Sequence, residues 1–70
     1  MATVKQMIEE NDVVELLDAV DRWSAGTDGT VVSERGELKL VEISDDRGVA
    51  LDYVSVPEPR LKLVAKHGHS

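Results

Sequence analysis

A small all-β barrel is the fold class this chain predicts, on three observations. Valine is the commonest residue, with 11 copies, joined by seven Leu and two Ile against one Trp, one Tyr and no Phe. That β-branched excess favours pleated strands over helices. No stretch of about fifteen residues keeps a clean helical period. Short apolar runs recur instead at regular spacing, separated by clusters of Gly, Pro, Asp and Ser, the rhythm of a sheet folded on itself. Closure follows from size, because a flat five-stranded sheet this small leaves one apolar face wet and two edges unpaired.

The lead-in, residues 1–11, reads either as a short helix over 4–10 or as a frayed segment. In the helical form Thr3 is the cap and Asn11 the stop, and Val4, Met7 and Ile8 share one face. The barrel spans 12–64. Its first strand is "DVVELL", 12–17, followed by a long loop rich in turn residues, "DAVDRWSAGTD". The second strand runs over 29–34. "ERGE", 34–37, places Gly36 between two apolar runs and reads as a hairpin. "LKLVEI", 38–43, is the third strand, and "SDDRG", 44–48, is a turn with Gly48 suited to positive φ. The fourth strand, 49–56, ends at "PEP", since proline cannot donate to a ladder, and a one-turn 3₁₀ helix is expected there. "RLKLV", 60–64, is the fifth strand, and 65–70 form a flexible tail.

Seventy residues make one domain, whose core supplies only about 3–5 kcal/mol of net stability. Without cysteine there is no disulfide and no thiolate metal site. No apolar run nears the ~18 residues of a membrane span, and no signal-peptide core is seen, so a soluble, cytoplasmic protein is expected. The 14 acids outnumber the 8 bases for a net charge of −6. Seven acids and a single base, Arg22, fall within 9–28, whereas 60–70 carries three bases and no acid. Such acidity repels phosphate backbones and favours basic partners, or serves solubility alone.

Gly26 and Gly29, in "AGTDGTVV", do not form a phosphate loop, because no helix and no Gly-Lys-Ser/Thr follow; they suit a sharp turn into a strand. Asp18, Asp21, Asp28, Asp45 and Asp46 lack the loop pattern of a calcium site, and turn capping accounts for 44–46. His67 and His69 have no fixed third ligand, so no metal is expected. No carboxylate pair is marked by an apolar pocket and no Ser or Thr stands with a base. A barrel this small has no room for a substrate cavity beside its core. Neither catalysis nor a cofactor is expected.

"DVVELL", "AGTDGTVV", "LVEIS" and "VPEPRLKLV" together resemble bacterial SH3-like barrels, and more narrowly the small domain family DUF4926. That likeness rests on Asp12, Val14 and Leu16 in the first strand and on Gly26, Gly29, Thr30 and Val31 at the loop-to-strand junction. It continues through Val41, Glu42 and Ile43 to Pro57 and Leu61, covering most of 12–64. The junction is also similar to KOW-type modules. The resemblance implies a fold, and SH3-like barrels generally bind peptides, proteins or RNA. The aromatic-rich stretch that lines a proline-binding groove is absent, with only Trp23 and Tyr53 present, and the basic surface of an RNA-binding module is missing.

Alternation gives the sharper expectation. If Val41, Ile43, Val54 and Val56 point inward, Leu38, Leu40, Leu51 and Tyr53 form an outward apolar patch, which on a small domain marks an interface unless the lead-in, through Met7 and Ile8, folds over it. Trp23 either caps an open barrel end or joins the ligand face. The expected function is a non-catalytic interaction module that binds a protein partner, basic in character, or its own copy as a homodimer. It would use Trp23, Leu38, Leu40, Leu51 and Tyr53 with Asp18 and Asp21 on the acidic loop. Two alternatives are an antitoxin or immunity-type protein covering a basic site on a toxin, and a KOW-like accessory of transcription or translation. Neither nucleic acid nor membrane is an expected partner.

Overall fold

Alternating valines and leucines, interrupted by turn residues, fold into five strands. The computed structural model describes residues 7–66. In it β1 is Val13–Leu16, β2 Asp28–Arg35, β3 Leu38–Ser44, β4 Ala50–Pro57 and β5 Leu61–Ala65, with a 3₁₀ turn at Glu58–Arg60. Every strand end lies within one residue of its expected place. Residues 7–9 are not helical; they lead to a turn at 10–11, where Asn11 takes φ 74°. The expectations for Thr3, Val4, His67 and His69 fall outside the described residues. Among the described residues no helix is long and apolar enough to cross a membrane.

All pairings are antiparallel, in the order β4-β3-β2-β1-β5. The sheet is curled. Residues of all five strands share one core with Ile8, each 3% exposed or less, although β4 and β5 sit at opposite ends of the order. Trp23, from the β1–β2 loop, donates through Nε1 to Asp52 Oδ2 on β4 (2.8 Å), and a flat sheet would hold these elements three strands apart. Bulges at Val32, Leu51 and Val64 bend β2, β4 and β5. The result is an SH3-like barrel with its seam between β4 and β5.

The two glycines of the 24–32 stretch serve different needs. Gly26 has φ 93°, which lets its N–H turn back to Leu16 O (2.7 Å). At Gly29 a Cβ would collide with Val41 Cγ1 and lie 2.8 Å from Glu42 O, so the absence of a side chain lets β2 approach β3. Gly36 opens the two-residue β2–β3 turn with φ 62°, matching the type II′ pattern. Asp45 closes the β3–β4 turn: its Oδ1 accepts from Arg47 N (2.8 Å) and Val49 N (2.9 Å), with Gly48 at φ 84°.

The described part of the lead-in, residues 7–11, is riveted to the barrel. Lys66 Nζ donates to Met7 O (2.8 Å), Asp12 Oδ2 (2.8 Å) and Glu9 Oε1 (3.2 Å). Asn11 N and Val31 N complete the join by donating to Val31 O (2.6 Å) and Asp12 O (2.9 Å). This clasp drives Ile8 into the core.

Candidate interaction surface

In β3, Val41 and Ile43 point inward with Lys39, and Leu38, Leu40 and Glu42 point outward; in β4, Val54 and Val56 point inward while Leu51, Tyr53 and Ser55 point outward. The cross-strand register places Leu40 opposite Ser55 and Glu42 opposite Tyr53. Ser33 and Arg35 extend the outer face onto β2, opposite Leu40 and Leu38. Leu38, Leu51 and Tyr53 are 46%, 48% and 54% exposed, and Leu40 is half-buried. Around Leu38 and Leu40 lies a shallow depression of about 340 Å³, lined also by Ser33, Arg35 and Ser55. Beside it Tyr53 projects, its OH donating weakly to Glu42 Oε2 (3.4 Å). Of the two lead-in residues expected to cover this face, Ile8 is in the core on the opposite side and Met7 is exposed.

The backbone of β4 is poorly suited to adding a strand. Glu58 N donates to Glu37 O (2.7 Å), which fixes the parity of the β3–β4 ladder: Leu38–Pro57, Leu40–Ser55 and Glu42–Tyr53 are its non-hydrogen-bonded pairs. The backbone groups of Tyr53, Ser55 and Pro57 therefore turn toward the free edge. Pro57 has no N–H, the Tyr53 N–H donates to Asp52 Oδ1 (2.9 Å), and Leu51 is bulged. Each device blunts an edge. What this region offers is side chains, not a ladder.

The expected contact set divides. Leu38, Leu40, Leu51 and Tyr53 share the outer face. Trp23 instead packs against the core, with Arg22 stacked on its ring at 5.1 Å and Val20 bridged to it by reciprocal backbone bonds. Its Nε1–H, then the Tyr53 N–H, hold the Asp52 carboxyl below the usual aspartate range, against the pull of partial burial. Asp21 occupies the loop tip at φ 52°, and Asp18 faces Arg60 at 3.5 Å. The acidity of 9–28 is thus partly neutralised within the molecule, by Arg60 at Asp18 and by Lys66 at Glu9 and Asp12.

Two ionic clusters were not anticipated. Lys39 is 2% exposed, and its Nζ donates to Gly36 O (2.5 Å) and Glu34 Oε1 (3.0 Å), with Glu58 Oε1 at 3.5 Å. Burial draws its pKa down, but the hydrogen bond and charge of Glu34, and then the charge of Glu58, outweigh that and leave it above the usual lysine value. The signal was present in the parity that puts Lys39 with Val41 and Ile43. Its partner Glu58 gave none, hidden in a proline turn. The second cluster joins Asp12, 1% exposed, to Lys66, whose pKa is raised by the hydrogen bond to Asp12, with Glu9 adding to it against some desolvation. Comparison with family models, curated proteins and solved structures found no match.

Proposed function

We propose that this domain is a non-catalytic protein-interaction module whose contact surface is the outer face of β3 and β4. One observation carries the reading: Leu38, Leu51 and Tyr53 stand in water on the strands whose inward residues are sealed. Exposed apolar side chains spaced along one sheet face of so small a domain mark a contact surface. The blunted β4 edge favours side-chain docking over strand addition. Charge supports the same choice. The outer face carries Arg35 and Glu42, one of each sign, in a chain of net charge −6, so docking there brings no excess of like charge into contact. A basic partner drawn to the acidic loop is less favoured, because Asp18, Glu9 and Asp12 already face bases of their own. The reading agrees with the general use of SH3-like barrels, and the likeness to DUF4926 remains part of the proposal.

The test is a photo-reactive side chain placed in the cell at position 53, with position 64 as control, since Val64 is equally exposed on β5. A discrete adduct from 53 and none from 64 is expected. No adduct from 53, or the same products from both, would overturn the reading.

A further inference from the structure

The outer face holds a knob and a hollow side by side, and they are chemically matched. The knob is Tyr53 with Glu42, joined by their hydrogen bond. The hollow has Leu38 and Leu40 as its apolar floor and Arg35, Ser33 and Ser55 around it. Arg35 makes no ion pair among the described residues.

Resting on the proposed contact surface, we infer that its occupant is a second copy of this chain, bound face to face with the Tyr53–Glu42 knob of each in the hollow of the other. Any two points on one face are exchanged by a two-fold axis lying in that face along their perpendicular bisector. A single isologous contact therefore fills both hollows at once. In that arrangement Arg35 meets the partner's Glu42 as an ion pair and the partner's Tyr53 ring as a cation–π contact. The phenol covers the Leu38–Leu40 floor, and the two strand edges take no part. The near-neutral face is where two chains of net charge −6 meet with least repulsion.

The experiment is sedimentation of the full chain across concentration, with reciprocal charge swaps. Wild type should rise from one chain mass to two. Arg35→Glu and Glu42→Arg should each weaken association about tenfold or more, and Tyr53→Ser likewise. All three positions face outward, and retained Trp23 emission reports the fold. Mixing the Arg35→Glu chain with the Glu42→Arg chain restores opposite charges at both contacts and should restore the dimer. A wild type that stays monomeric at millimolar concentration, or a swapped pair that fails to associate when mixed, overturns the inference. An adduct at position 53 with a different protein would overturn the homodimer and leave the contact surface standing, whereas no adduct together with a monomer defeats both.

Discussion

The two faces of β3 and β4 both carry large apolar side chains with an ionisable one among them, and they meet opposite fates. Inward, Val41, Ile43, Val54 and Val56 are sealed, with Lys39 held among carboxylates. Outward, Leu38, Leu51 and Tyr53 remain wet. Hydropathy alone does not distinguish the faces; parity and curl do. The inner face carries stability, and the outer face is free to carry contact. Substitutions on the two sides should therefore act on different observables, and each prediction below presses on that division.

The largest effect belongs to the inner side. Lys39→Met leaves the Glu58 carboxylate buried without its ammonium, a loss of about 3–5 kcal/mol. That equals the whole net stability expected of so small a core, about 3–5 kcal/mol, so the variant should be unfolded by circular dichroism. Adding Glu58→Leu removes the stranded charge and should recover most of the loss, as urea melts will show. Gly29→Ala comes next. Its Cβ meets Val41 and the Glu42 carbonyl, and forcing β2 from β3 should cost about 1–3 kcal/mol. An unchanged melt would show that the β2–β3 approach has slack.

Trp23→Phe is milder. It keeps an aromatic against the core but removes the bond to Asp52, a small loss beside the two above. The sign with pH is defined. Asp52 has a lowered pKa in the fold, so its contribution is complete above the usual aspartate value of 3.8 and fades as pH falls through the folded value. The phenylalanine variant should lose less stability on acidification than wild type. At the other end, Lys39 and Lys66 both have raised pKa values. Their contributions are complete below the usual lysine value of 10.5 and fade as pH rises through the folded ones. Alkaline titration of the thermal midpoint checks this.

The smallest effect on stability is expected on the outer face. Leu51→Ser should shift unfolding by no more than about 0.5 kcal/mol while weakening association. A variant that destabilised the fold without touching association would invert the division.

Much of this was legible in the sequence. Period-two alternation in "LKLVEI" and "ALDYVSV" gave both faces, and Gly, Pro and Asp punctuation gave the three connections from β2 to β5, because these signals are local; the turn at 10–11 was not among them. The rest depends on residues distant in sequence. Lys66 belongs to a stretch that reads as tail, and only the fold brings it 2.8 Å from Asp12. Trp23 reads equally as cap or contact until Asp52, 29 residues away, supplies its partner. Met7 and Ile8 were candidates to cover the outer patch; the clasp sends Ile8 inward instead and leaves Met7 exposed.

The central claim is that the outer face of β3–β4 is where this molecule touches another copy of itself. Backbone amide shifts of the full chain, followed from micromolar to millimolar concentration, test it most directly. Movement confined to residues 33–42 and 51–55 is the predicted result. Shifts that stay constant, or that move on the 17–27 loop or β5 instead, would contradict it.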